Sequence, residues 1–245
     1  IICYVIDQRL NTHMKRYTVI TTFNQQGLDK YGQLMIKTFE QYWPNDVDLV
    51  VHTENCNPVI TKSNVRRIDL IANSKHCRRF IKRHKDNPEA NGGIGPHNEH
   101  IWKPNKHFKW QGLRFSYKIF SIYHAMQNID TEWIIWVDAD TLTHSPINIE
   151  FLDSVNPENC IVTHLGRGEK YHSECGWMGY NKKNPLTMEF ITDFVNMYNN
   201  DTMFNYPEWH DSYLFDVQRK IYRDTKGAYF HNLNPEPDSK GLAGH

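Results

Sequence analysis

The chain has 245 residues, enough for one large domain with a substantial core. Its 28 Lys and Arg balance its 28 Asp and Glu, so the basic excess of a general nucleic-acid binder is missing and no nucleic-acid partner is expected. The five cysteines are odd in number and include no CxxC pair, which suggests neither a disulfide framework nor a thiolate zinc site and fits a reducing compartment.

The opening IICYVI is too short for a signal-peptide core and lacks a preceding basic region. No apolar run reaches the length of a membrane span. A cytoplasmic protein without a transmembrane segment is therefore expected. Met14 opens MKRYTVITTFN in the manner of a natural start, and residues 1–13 read as either an extraneous remnant or an edge strand.

YTVITTFN, residues 17–24, is β-branched and apolar before turning polar, which predicts a buried strand and its loop. Asp29 is placed to cap KYGQLMIKTFEQYW, where Leu34, Met35, Thr38, Phe39 and Tyr42 recur at helical spacing and stop at Pro44. VDLVVHTEN is a second strand and NVRRIDL a short third. Strand, helix, strand in this order predicts parallel pairing with a right-handed crossover. Residues 72–112, basic and His-rich, read as one helix followed by a long loop. RFSYKIFSIYHAMQN is an amphipathic helix with Phe115, Ile119, Ile122, Tyr123 and Met126 on one stripe, and it leads directly into the strand WIIWV. CIVTHLG and GWMGYN follow as strands, then PLTMEFITDFVNMYNN and WHDSYLFDVQRKIYR as helices, the first opened by Pro185. Without repeats or a low-complexity linker, one α/β domain over residues 1–245 is expected.

The strand Trp133–Val137 ends in two carboxylates, Asp138 and Asp140. Ionised Asp is rarely left inside unpaired, so a positive partner is expected nearby. In parallel α/β sheets ligands bind beyond the carboxyl ends of strands. Carboxylates at i and i+2 across a turn can converge, and their hard oxygens select Mn²⁺ or Mg²⁺. Such ions keep positions for phosphate oxygens, which makes a diphosphate the natural third party. The competing reading is an Asp-rich turn capping the next segment with help from Thr141 and Thr143. Aromatics, 13% of the chain, often adjoin polar residues, as in YHSECGWMGYN and NYPEWHDSYLF, a mixture suited to sugars and bases.

IIWVDADTLTHSPI, preceded by the RFSYKIFSIYHAM helix, resembles the D-x-D region of GT-A fold glycosyltransferases, including glycogenin-like retaining enzymes and small phage or bacterial relatives. The resemblance runs from VITTFN to WHDSYLF. It implies a Rossmann-like GT-A domain with a mixed, mainly parallel sheet flanked by helices, its nucleotide-binding half about 15–146 and its acceptor and sugar half about 147–245. It further implies metal-dependent transfer from a nucleotide sugar, UDP being the commonest carrier, to a glycan or other hydroxyl acceptor. By this resemblance Asp140 holds the metal, and Asp138 holds the metal or the donor ribose. Thr21, Thr22 and Asn24 line the nucleotide pocket. Lys118, with Arg114 one turn earlier, reaches the donor sugar or diphosphate; a solvated helix edge is the plainer reading of that pair. Glu174, in HSECGWMGYN, is placed to bond sugar hydroxyls, with Gly176 and Gly179 allowing close approach. Cys175 reads as a small buried residue.

Asp211 falls where relatives carry an acidic residue beneath the anomeric carbon, although an Asp there is also a routine N-cap. Ser212 stands where those relatives commonly have Gln. His231 is the expected third metal ligand, without the glycine three residues later that the pattern calls for, and Lys240 is expected on the diphosphate. Asp211 is a base if the enzyme inverts and an electrostatic stabiliser or nucleophile if it retains; the resemblance favours retention. Two other readings compete. IIWVDADTLT also fits the D-x-D-x-T nucleophile motif of haloacid-dehalogenase-like phosphatases, with Asp138 phosphorylated, but no GD follows downstream. A non-catalytic sugar-binding protein fits the aromatics and leaves D-x-D unexplained.

Overall fold

The computed structural model describes residues 15–95, 108–168 and 171–234. Strand β1 (Lys15–Asn24) ends at Asn24, whose side-chain oxygen accepts from the Gly27 amide 2.9 Å away and starts a helix. That helix passes from α1 (Gln25–Gly27) through a π-helical stretch at Leu28–Gly32 into α2 (Gln33–Tyr42). The observed cap, Asn24, therefore lies five residues before the expected one; Asp29 lies inside the helix and accepts from the Gln25 side chain. The π stretch rotates the apolar stripe onto Met35, Ile36 and Phe39 and leaves Leu34 47% exposed. Strands β2 (Asp48–Glu54) and β3 (Val65–Asp69) follow, then helices α3 (Leu70–Asn73) and α4 (Lys75–His84), with Asp69 and Ser74 as their N-caps.

Helix α5 (Gly112–Asn128) feeds β4 (Thr131–Val137). Beyond it come α6 (Ile149–Val155), β5 (Val162–Leu165), β6 (Glu174–Asn181), α7 (Pro185–Asn199), α8 (Asp211–Lys226) and β7 (Phe230–Asn232). The sheet has seven strands in the order β3-β2-β1-β4-β6-β5-β7. Pairs β1–β2, β2–β3, β1–β4 and β5–β7 are parallel, while β6 runs antiparallel to β4 and β5. The strand order reverses at β1 and β4, which creates a crevice beyond their carboxyl ends. Both faces of the sheet are buried. Along β4, Ile134 and Trp136 face the core under α5, α7 and α8, whereas Trp133, Ile135 and Val137 face the core under α2 and α6.

Packing across the second half is close enough to forbid a side chain at Gly179 on β6. A Cβ there would stand 2.2 Å from the Oδ1 of buried Asn156. Gly179 thus serves interior packing, while Gly176 faces Glu174 and Asp138. Gly179→Ala should cost about 1–3 kcal/mol in urea unfolding, and an unchanged midpoint would mean that Asn156 yields. Cys56, Cys77, Cys160 and Cys175 are free, buried thiols. No helix among the described residues is long and apolar enough to cross a membrane.

Candidate active site

The crevice at the strand reversal opens into a cleft of about 770 Å³, within the range of small-ligand sites. Its floor is set by the exit of β4. The Asp138 amide donates to the Gly176 carbonyl at 2.8 Å, Thr141 N closes a turn on the Asp138 carbonyl at 3.0 Å, and Ala139 between the carboxylates is buried. Trp136, two residues earlier on the same strand face, donates its indole N–H to Asp138 Oδ1 at 2.6 Å.

The positive partner is Lys118, from the middle of α5. Its Nζ lies 3.3 Å from Asp138 Oδ1 and 2.6 Å from Asp211 Oδ2, donates to the Cys175 carbonyl, and sits over the Trp136 ring at 4.9 Å. Lys118 is only 7% exposed, so it is no solvated helix edge. Burial alone would lower its pKa, but Asp138 and Asp211 hold it above the ordinary range. Burial alone would raise Asp211, and Lys118 more than reverses this, so that carboxyl titrates below its usual value. Asp138 is pushed up by desolvation despite Lys118. Asp211 opens α8 in its first turn and does not cap it; His210 is the cap, its ring accepting from Tyr213 N. Cys175 is buried and its thiol is raised well above normal by that burial, which keeps it protonated and unreactive.

The cleft gathers Thr22, Asn24, Arg114, Lys118, Asp138, Asp140, Glu174 and Asp211. Glu174 accepts from the Gly176 amide at 3.1 Å and from Arg167 at 3.1 Å. Two expected residues lie elsewhere. Thr21 is fully buried in β1 and does not line the cleft, because side chains alternate along a strand and Thr22 takes the open side. His231 sits on β7, beside β5 at the sheet edge, with its ring against the Tyr229 hydroxyl, and is not among the cleft residues. Lys240 lies outside the described residues.

Unanticipated groups complete the walls. Glu54, at the end of β2, lies 3.1 Å from the Thr22 hydroxyl, and burial pushes its pKa up to about 7. An acid at the exit of a parallel strand was the signal that picked out Asp138, and it applies equally to Glu54. Among the described residues, His172, Glu208 and His210 bring three potential ligand atoms within 4.8 Å of one another. No sequence spacing announces that cluster.

A divalent cation fits the chemistry of the first pair. Asp138 Oδ1 is held by Trp136 and Lys118, its Oδ2 faces the open backbone of Gly176, and the exposed Asp140 carboxylate has no hydrogen bond or ion pair among the described residues. Such oxygens suit Mn²⁺ or Mg²⁺.

No family model matches the sequence, and no curated protein matches it. Solved structures do. Mouse xyloside xylosyltransferase 1 in its apo form is similar at a TM-score of 0.53 and 11% identity, over 89% of this chain and 85% of that one. Glycosyltransferase GlyE of Streptococcus pneumoniae TIGR4 gives 0.49 at 8% identity, over 89% of this chain and 45% of that one. A glycosyltransferase involved in glycosylation of the major capsid of PBCV-1 gives 0.43 at 13% identity, over 89% and 81%. The mixed, mainly parallel sheet with flanking helices and the xylosyltransferase likeness define a GT-A-like α/β fold.

Proposed function

We propose that this chain transfers a sugar from a nucleotide-sugar donor, a UDP-sugar, to a hydroxyl acceptor with retention, in the presence of Mn²⁺ or Mg²⁺. The observation that carries the reading is the buried Lys118 ammonium tying Asp138 to Asp211 on the floor of a cleft at the strand reversal. In this reading residues 15–146 form the donor half and 147–245 the acceptor half. Thr22, Asn24, Glu54 and Arg114 receive the nucleoside and its phosphates.

Transfer breaks the bond between the anomeric carbon and the β-phosphate oxygen, and the electron pair leaves with the diphosphate. A divalent cation on Asp138 and Asp140 would supply Lewis-acid stabilisation of that leaving group. Lys118, fixed before the reaction, adds positive charge where negative charge develops. Asp211 is kept ionised by Lys118 and is therefore a weak base. Its place is to stabilise positive charge on the anomeric carbon, which supports retention. The acceptor hydroxyl then bonds to that carbon on the face the diphosphate leaves, and its proton passes to the departing phosphate oxygen.

Thermal unfolding with Mn²⁺ and a panel of UDP, GDP, CDP and their sugars tests this. A ligand at about 100 times its dissociation constant stabilises by about 2.7 kcal/mol, a shift on the order of 5–10 °C for a chain of this size. Asp140→Asn should abolish the UDP shift and leave the unliganded protein within about 0.5 kcal/mol, since Asp140 is exposed. A shift with orthovanadate in place of nucleotides would favour the phosphatase reading, and a shift with sugars alone a non-catalytic binder.

A further inference from the structure

The sheet order β2-β1-β4-β6 places Glu54 and the approach to β6 on opposite sides of Asp138. The nucleotide side is rich in strand ends. The other side is a wall drawn from three separate segments: Phe108 and Lys109, Tyr171 and His172, and Glu208 and His210. The proposed transfer assigns no role to any of these six residues individually.

Its polar centre is Glu208. One carboxylate oxygen is ion-paired with Lys109; the other lies 2.7 Å from His210 Nε2 and 3.5 Å from His172 Nε2. Behind His172, Asp216 lies 3.9 Å from Nδ1, beyond hydrogen-bond reach, and the ring stands edge-on to Tyr213. Asp216 is itself fixed by Ser173 and Arg219. Around this centre Tyr171 and Phe108 are 65% and 46% exposed, and the Arg167 guanidinium stands 5.9 Å from the Tyr171 ring.

A metal ion suits this cluster poorly. His210 Nδ1 accepts from the Tyr213 amide, so Nε2 carries the proton and donates to Glu208. A metal would need that nitrogen's lone pair. Both Glu208 oxygens are already engaged, one by Lys109 and the other by the two imidazoles. What remains is a carboxylate and an imidazole, hydrogen-bonding groups beside two exposed aromatic side chains, Tyr171 and Phe108. That combination matches a pyranose ring, which offers hydroxyls at its edge and C–H groups on its face.

We propose that Tyr171, His172 and Glu208 form the acceptor subsite and that the acceptor is the pyranose unit of a saccharide, its ring face on Tyr171 and its hydroxyls on Glu208 and His172. This rests on the transferase reading, since the wall adjoins Asp211 through His210 and opens into the same cleft.

Saturation-transfer NMR with a panel of methyl pyranosides (gluco, galacto, manno and xylo) in the presence of Mn²⁺ and UDP is the test, run on the wild type, Tyr171→Ala and Glu208→Gln. At least one pyranoside should bind the wild type and bind each variant about tenfold or more weakly. The Mn²⁺-dependent UDP melting shift should be the same in all three proteins. Tyr171 is exposed, so its variant keeps the test valid should Glu208→Gln fold poorly. Loss of the UDP shift already in the wild type would count against the transferase reading itself. With that shift intact, three results would overturn the subsite: no pyranoside binding, binding indifferent to Tyr171→Ala, or binding of a Ser- and Thr-containing peptide instead. A melting shift with Zn²⁺ alone that disappears in Glu208→Gln would also overturn it, because the cluster would then be a metal centre.

Discussion

Lys118→Met should lower the unfolding free energy by about 3–5 kcal/mol, as expected when one member of a buried ion-pair network is removed. The reason lies in what stays behind. Asp211 is buried and Asp138 lies low in the cleft, and both face the Lys118 ammonium. Without it, Asp211 must either remain charged in a poorly solvated site or take up a proton against its ordinary pKa. Asp138, whose side chain is 38% exposed, loses its ion pair, and water compensates in part. The Cys175 carbonyl loses its donor as well. Methionine keeps the chain volume, so a cavity contributes little. Urea unfolding at pH 7 of the wild type, Lys118→Met, Asp211→Asn and the double variant closes a thermodynamic cycle. The double variant should be more stable than the sum of the single losses implies. A single-variant loss below about 1 kcal/mol would show that water reaches the carboxylates freely, and the electrostatic role proposed for Lys118 in transfer would fall with it.

The second large effect is acid lability from two buried imidazoles. His52 on β2 is buried against His124, its Nε2 3.1 Å from His124 Nδ1, and desolvation brings its pKa down to about 3. His164 on β5 is likewise buried and brought down to about 4, first by desolvation and then by Arg219. Both folded values lie below the unfolded value near 6.5. Stability from their neutral forms is therefore complete above pH 6.5 and falls as the unfolded chain takes up protons that the folded chain refuses. Each group removes about 1.4 kcal/mol per pH unit below 6.5, so the pair removes about 5 kcal/mol by pH 4.5. Glu54 acts in the opposite sense. Its folded pKa of about 7 lies above the unfolded value, and it returns up to about 3 kcal/mol over the same interval. The difference between wild type and His52→Leu isolates one imidazole. Unfolding free energies measured at pH 6, 5.5, 5 and 4.5 should show a slope that is shallower in the variant by an amount approaching about 1.4 kcal/mol per pH unit. Equal slopes would mean that His52 becomes protonated inside the fold.

Much of the site was legible along the chain because its signals are local. A buried strand that ends in D-A-D announces its own exit, and the apolar stripe of Ile119, Ile122, Tyr123 and Met126 identifies the helix that carries Lys118. The demand for a cation near Asp138 followed from charge burial alone. Whether that cation is Lys118, and whether it also reaches the distant Asp211, depends on the packing of α5 and α8 against the sheet.

Other assignments failed for identifiable reasons. Thr21 and Thr22 could not be phased because β1 lies inside the sheet with apolar neighbours on both faces, which leaves no polar alternation to read. The helix after β1 begins early because the Asn24 side chain supplies the cap, and the π stretch interrupts regular helical spacing between that cap and Leu34. His231 joined β5 at the sheet edge, a pairing between segments far apart in sequence.

Residue order and side-chain chemistry thus determined by themselves the α/β architecture, the D-x-D exit and the need for a buried cation, since each depends on neighbours within a few turns. Only the tertiary structure decided which carboxylates share Lys118, which threonine faces the cleft, and that His172, Glu208 and His210 meet. Those contacts join distant segments, and distance along the chain carries no information about them until the sheet order brings them together.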